Sequence, residues 1–342
     1  MRLSDFDYHL PPELIAQHPL AGRDQSRLMV IDRSTRSIEH RHFFEIGSYL
    51  DPGDTLVLNN SRVIPARLNG IIEGSGHRAE VLLLRRLDDG NWEALVRPGR
   101  RLMPGAQVRV HGIKPGVKGE LTVSILGTGE GGLRRVSLDG NVQPDGYGSM
   151  PLPPYIHARL DDDERYQTVY SKPEGSAAAP TAGLHFTPAL LDELKSRGVN
   201  TAFVTLHVGL DTFQPVRAED PARHHIHTEH GLVSQGTADL VNETRDRSKR
   251  VVAVGTTSVR LIEAASQEGQ AGPFEGQVGL FILPGYQFGV TDAIVTNFHL
   301  PKSTLLMMVS AFAGREFILD CYEVAKKEGY RFFSFGDAML IV

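Results

Sequence analysis

The chain has 342 residues, 41% hydrophobic and 23% charged, with a formal net charge of −5. That length exceeds one ordinary core and predicts two domains. The single cysteine, Cys321, excludes an internal disulfide framework and fits a reducing compartment. Met1 to Leu10 carries acidic residues where a secretory leader needs an apolar run, and the longest apolar stretch, Leu305 to Ala313, is about half of a bilayer span. A cytoplasmic protein with no membrane association is expected.

Charge divides unevenly along the chain. Residues 1–62 hold 7 Lys/Arg against 9 Asp/Glu, residues 63–149 hold 12 against 9, and residues 150–342 hold 17 against 23. Only the middle segment is basic. Its cations cluster at Arg97, Arg100 and Arg101 and at Arg134 and Arg135, either a solvated face or a polyanion footprint.

In chain order, Pro11-Pro12 predicts a short helix through Gln17. Strands are expected at Leu28 to Asp32 and Ser37 to Phe43, then a helix, then the apolar strand Thr55 to Leu58. From about Arg67 the apolar period changes to two. Glu80 to Leu87 and Trp92 to Arg97 flank the turn sequence Asp88-Asp-Gly-Asn91, followed by Gln107 to His111, Glu120 to Leu126 and Leu133 to Leu138. Short strands at this spacing, with no convincing helix, predict a small all-β barrel or sandwich. Met150-Pro-Leu-Pro-Pro154 reads as a stiff exit linker.

Helices and strands then alternate. Thr187 as N-cap, Pro188 at the first position and Gly198 as stop define one helix. Strands are expected at Val199 to Val208, Val251 to Val254, Gly279 to Leu283, Ala293 to Thr296 and Arg331 to Phe335. Helices are expected at Ala238 to Lys249, Ser258 to Gln267 and Glu316 to Glu328, with an apolar stripe Leu305, Met308, Val309 and Phe312 on one more. The pattern predicts a largely parallel sheet covered on both faces. The fold class is α/β: a larger α/β domain, residues 1–62 and 150–342, interrupted by a small barrel-like β domain, residues 63–149.

Open α/β sheets bind ligands in loops beyond the carboxyl ends of their strands. After Val254 the chain reads Gly255-Thr256-Thr257-Ser258 and opens a helix, a pattern that suits a carboxylate or simply caps the helix. No GxxxxGK[ST] phosphate loop occurs. After Thr296 come Asn297, Phe298, His299, Lys302 and Ser303, a mixture that core packing does not select. His185 and Phe186 adjoin in the loop before Thr187, and His207 ends a strand. His185, His207 and His299 are therefore the candidate general bases. His224-His-Ile-His227-Thr-Glu229-His230 has metal-like spacing without a supporting cysteine or carboxylate motif, so no metal is expected and His227 and Glu229 are candidate hydrogen-bonding residues. Asn59, Asn60, Ser61, Arg62 and Arg67 stand where the β domain begins, as a pocket wall does.

Taken together, Leu58 to Leu68, Asp163-Glu-Arg-Tyr-Gln-Thr-Val-Tyr170, Ala178-Ala-Pro-Thr-Ala-Gly-Leu-His-Phe186, Thr205-Leu-His-Val-Gly209, Val254 to Arg260, Thr296 to Thr304 and Tyr330 to Leu340 resemble the S-adenosylmethionine:tRNA ribosyltransferase-isomerases of queuosine biosynthesis. The motifs run in the family's order over nearly the whole chain. Asp211, where the family more often has glycine, is a departure that a turn tolerates. The resemblance implies that the ribosyl part of S-adenosylmethionine moves onto 7-aminomethyl-7-deazaguanine in a tRNA anticodon, giving epoxyqueuosine and releasing adenine and methionine. It adds Arg165, Tyr166 and Thr181 to the candidate substrate-binding residues. S-adenosylmethionine is then a co-substrate, with no tightly bound cofactor, and the enzyme is expected to act as a monomer on tRNA.

The residues suit that chemistry. A sulfonium acidifies its neighbouring C–H bonds and calls for a positioned base. Phe186 or Phe298 is expected to stack on adenine or face the sulfonium. The methionine carboxylate is expected at Thr256 to Ser258, helped by Arg260. A plain methyltransferase would show a Gly-rich loop after its first strand, and a noncatalytic tRNA-binding protein a basic aromatic face without this crowding of His, Asn and Thr.

Overall fold

The computed structural model describes residues 1–342 apart from Pro115, Lys118, 210–215, Arg217, His225 and His227. The chain forms two compact units. One comprises Met1–Ser61, Pro154–Lys172 and Pro180–Val342, the other Arg62–Pro153 and Pro173–Ala179. Among the described residues, no helix is long and apolar enough to cross a membrane.

The strands of the large sheet and of the barrel, in chain order, begin with β1 (Arg27–Asp32), β2 (Ser37–His42) and β3 (Thr55–Asn59). Then come β4 (Arg67–Ile72), β5 (Arg78–Arg86), β6 (Trp92–Arg97), β7 (Gln107–His111), β8 (Glu120–Thr128) and β9 (Arg134–Leu138). The last six are β10 (Asn200–Leu206), β11 (Glu229–Val233), β12 (Val251–Val254), β13 (Phe274–Val278), β14 (Ala293–Asn297) and β15 (Ala338–Ile341). The α-helices are α1 (Pro188–Ser196), α2 (Gln235–Asp246), α3 (Thr256–Ala264), α4 (Thr304–Ala313) and α5 (Arg315–Lys327).

In the larger unit, the described residues form a nine-stranded sheet of order β13-β11-β10-β3-β12-β14-β15-β1-β2. Apolar side chains alternate between its faces: Leu28 and Val30 enter one core with Ala338 and Leu340, while Met29 and Ile31 enter another with Met339 and Ile341. Period-two geometry on a sheet buried on both sides produces this division. The sheet is mixed rather than largely parallel. β10, β3, β12 and β14 run parallel, and β1 is parallel to β15, but β11, β13, β15 and β2 each reverse against a neighbour. The carboxyl ends of β3, β10, β12 and β14 therefore share one edge with the starts of β1, β11 and β15.

Several elements differ from their sequence expectation. The strand expected at 279–283 lies at β13 instead, and the chain beyond it is irregular, with the Leu280 carbonyl accepting from Arg260 Nε at 3.1 Å. The strand expected at 331–335 is a turn. The Asp337 carboxylate accepts from the Arg331 amide at 2.8 Å and folds the segment back, so apart from one isolated bridge between Phe332 and Ile15 it joins the large sheet only at Ala338. The helix expected from Pro12 to Gln17 is a single 3-10 turn, Pro12–Leu14. α4 is buried from Leu305 through Ser310, on all sides rather than along one stripe.

In the smaller unit, the six strands β9-β6-β5-β4-β7-β8 close into an antiparallel barrel. Alternation is clean on β7, where Val108 and Val110 are buried and Gln107, Arg109 and His111 exposed.

Candidate active site

The shared edge gathers most of the candidate residues into two hydrogen-bonded groups. The first is centred on Asn59, wholly buried at the end of β3. Its Oδ1 accepts from the amides of Leu206 and Ser61, at 3.0 and 3.1 Å. Its Nδ2 donates to the Leu206 carbonyl at 3.0 Å and to Thr257 Oγ1 at 3.3 Å. One amide side chain thus ties together the ends of β3 and β10 and the first turn of α3. Beside it, Thr205 Oγ1 donates to Asn60 Oδ1 at 2.7 Å. The Ser61 hydroxyl is buried without a partner.

His207 follows directly. Its amide donates to the His230 carbonyl at 3.0 Å, and the two rings stack with centroids 6.5 Å apart. Its Nδ1 is buried and unpartnered. Burial first, and the neighbouring His230 second, push its pKa below the ordinary 6.5, so the ring is neutral and its nitrogen uncommitted at physiological pH. Glu229 closes the group. It accepts from the Gly209 amide at 2.9 Å and forms a buried ion pair with Arg260. Arg260 is thereby held by Glu229 and by the carbonyls of Leu280 and Val278.

His185 anchors the second group. Asn297 Oδ1 accepts from Thr181 Oγ1 at 2.9 Å, which fixes the amide orientation. Asn297 Nδ2 then donates to His185 Nε2 at 3.0 Å, leaving the ring proton on Nδ1, 2.7 Å from Ser26 Oγ. Both ring nitrogens are engaged, and burial holds the pKa down at about 3. The helix start at Gly255 connects the groups: Thr257 touches Asn59, and Ala182 Cβ lies 3.6 Å from where a side chain on Gly255 would begin. Ser258 Oγ donates back to the Val254 carbonyl at 2.8 Å, and Thr256 is buried.

The remaining candidates fall elsewhere. His299 is buried, its Nε2 2.8 Å from Thr296 Oγ1, its amide donating to the Tyr322 hydroxyl at 2.9 Å, and its pKa held down at about 3. Phe186 and Phe298 are wholly buried in aromatic clusters with Phe43 and with Tyr322 and Phe332. Lys302 pairs with Asp7 at 2.7 Å, and Ser303 caps α4 through the Leu306 amide at 3.1 Å. Arg165 donates to the Ala21 and Leu20 carbonyls, and Tyr166 is buried against Phe335. Arg62 and Arg67 belong to the smaller unit, where Arg67 lies 3.6 Å from Glu80. His227 and Asp211 lie outside the described residues. Among those described, no three His, Cys, Asp or Glu side chains are grouped as metal ligands.

In the barrel, Arg134 is not a surface cation. It is buried, and its guanidinium donates to the carbonyls of Leu102 at 2.8 Å and Gly99 at 3.0 Å. Arg135 pairs with Asp89, while Arg100 and Arg101 are exposed. Sequence reasoning passed over Ser26, Arg331 and Asp337. The last two sit inside a quoted motif, but only the fold reveals that one carboxylate organises the start of β15.

A family model described as queuosine biosynthesis protein matches residues 3–341. Among solved structures, the chain is similar to an S-adenosylmethionine tRNA ribosyltransferase from Thermotoga maritima, with 43% identity, a TM-score of 0.58, and coverage of 99% of this chain and 100% of that one.

Proposed function

The chain belongs to the queuosine biosynthesis protein family, and from that premise we propose that it is a cytoplasmic S-adenosylmethionine:tRNA ribosyltransferase-isomerase. The reaction transfers the ribosyl moiety of S-adenosylmethionine to the aminomethyl nitrogen of 7-aminomethyl-7-deazaguanine in the anticodon. A new C–N bond forms, the bonds to adenine and to methionine sulfur break, and the pentose closes on itself through a new C–C bond while its ring oxygen exchanges one C–O bond for another, leaving the epoxycyclopentanediol of epoxyqueuosine in the tRNA.

The observation that carries the reading is the contrast among the three histidines. A base that removes a proton beside the sulfonium must be neutral and must have a free nitrogen. His185 has both nitrogens committed, and His299 has its Nε2 engaged by Thr296 Oγ1. His207 alone of the three has a buried ring nitrogen without a partner, on a strand end that Asn59 fixes in place. His207 is the base in this reading. His185 and Asn297 hold the neighbouring loop. The exposed Arg100 and Arg101 of the barrel contribute to tRNA attraction.

Adenine release, followed with and without tRNA carrying 7-aminomethyl-7-deazaguanine, tests the function. Release that depends on that tRNA is expected, and release of none, or methyl transfer instead, contradicts the proposal. His207→Ala is expected to lower kcat about 10²–10⁴-fold. Near-wild-type turnover in that variant removes His207 from the role.

A further inference from the structure

A cleft beside His185 has chemistry that the transfer reaction, as argued above, does not use. Its lining includes Arg23, Arg165 and Arg331 together with Ser26 and His185, and no carboxylate. All of these residues belong to the larger unit. We propose that this cleft is a binding site for one oxyanion group, supplied either by a phosphodiester of the tRNA or by the carboxylate of S-adenosylmethionine. The proposal rests on the functional reading for the identity of the donor, but not for the anion site itself.

The three guanidiniums are held rather than free. Arg23 donates to the Leu184 carbonyl at 3.2 Å and the Glu164 carbonyl at 2.7 Å. Arg165 returns the lacing with bonds to Ala21 at 3.1 Å and Leu20 at 2.5 Å. Arg331 reaches Asp337 at 3.3 Å and the His18 carbonyl at 3.4 Å. Each engages two partners and keeps further N–H donors, and Arg165 Nε is buried with none. Because His185 donates its Nδ1 proton to Ser26 Oγ, the Ser26 hydroxyl hydrogen is also available. Preorganised donors of three guanidiniums, with Asp337 the one carboxylate bonded to them, select an oxyanion over a cation or a neutral amide.

The surrounding charges set the strength of the site. Asp337 faces Arg331 but is saturated by the amides of Arg27 and Arg331 as well, at 3.1 and 2.8 Å. Asp162 and Glu164 approach Arg23 from outside the lining. Arg23 and Arg165 repel one another, and burial adds to that strain, so the pKa of Arg23 is lowered, first by burial and then by Arg165. A bound anion relieves both. The cleft is open to solvent and measures about 30 Å³, too little for a nucleobase.

The test begins with inorganic phosphate and the intact protein. At matched ionic strength, phosphate is expected to raise the melting temperature above the chloride control, and Arg331→Gln to abolish the excess while Arg331→Lys keeps most of it. Arg331 is chosen because its bonds are the longest of the three pairs, and Asp337 retains two backbone donors without it. No excess stabilisation by phosphate in the wild type overturns the site, whatever reaction the protein performs. Affinities of Arg331→Gln for tRNA and for S-adenosylmethionine then identify the donor. A tenfold loss for tRNA, with the salt slope reduced by about one unit, assigns the phosphodiester. A tenfold loss for S-adenosylmethionine, absent with its decarboxylated analogue, assigns the carboxylate. If neither affinity changes, the substrate assignment is overturned even where phosphate binds.

Discussion

His207 differs from the other two histidines in what its ring is left free to do. Since its pKa is lowered and a base works when deprotonated, activity should hold through neutral pH and fall only as pH drops through a value below 6.5. A kcat profile whose acidic limb lies above 6.5 contradicts this assignment. His185 and His299 report instead on stability. Both are neutral when folded, with pKa near 3, and unfolding returns them to about 6.5. The unfolded chain therefore binds protons first as pH falls. Stability from their burial is whole above pH 6.5 and declines below it by up to about 1.4 kcal/mol per pH unit for each ring. Urea denaturation between pH 6.5 and 5, above the carboxylate range, should show that decline, and a flat profile contradicts it. Asn59→Ala strands the Leu206 amide and carbonyl in a buried site and should cost about 2–3 kcal/mol by the same measurement. That residues such as Asn59 and Asn297 stand at strand ends was legible in the sequence. Their partners were not: Thr257 and His185 are distant in the chain, and only the sheet's register brings them within reach.

The turns that carry the site depend on two glycines for different reasons. Gly255 opens α3 at φ 86°, ψ 151°, where a side chain is strained even though the nearest atoms are 3.6 Å away. Gly255→Ala should cost about 1–2 kcal/mol in stability, seen as a lowered melting temperature. Gly183 lies in the turn before His185, and a Cβ there would meet the Tyr170 hydroxyl at 2.1 Å. Gly183→Ala should displace Tyr170 and weaken the packing around His185, and unchanged stability and turnover contradict that account. α1 was fully legible because its signals are local: Thr187 Oγ1 accepts from the Leu190 amide at 3.1 Å, with Pro188 following. The segments 279–283 and 331–335 were misread because apolar and aromatic runs satisfy strand propensity equally when they fill a core. Phe332, Phe333 and Phe335 are buried, and of the three Phe332 alone pairs, in an isolated bridge to Ile15.

At the level of the whole molecule, the change to period two near Arg67 marks the barrel, and alternation elsewhere marks the sheet. Strand direction was not legible, since buried strands of either polarity read as apolar runs. The basic surplus of the barrel also needs dividing. Arg134 holds its loops through backbone carbonyls, so Arg134→Glu should unfold the barrel rather than report on tRNA. Reversing the exposed Arg100 and Arg101 should weaken tRNA binding and flatten its salt dependence while leaving S-adenosylmethionine affinity unchanged. Unaltered affinity and slope return those arginines to a solvated face. The most direct test of the account is single-turnover adenine release from S-adenosylmethionine, with tRNA bearing 7-aminomethyl-7-deazaguanine, comparing the wild type with His207→Ala. The account predicts rapid, tRNA-dependent release that falls at least about a hundredfold in the variant while both substrates still bind. Equal rates in the two proteins, or release without tRNA, would contradict it.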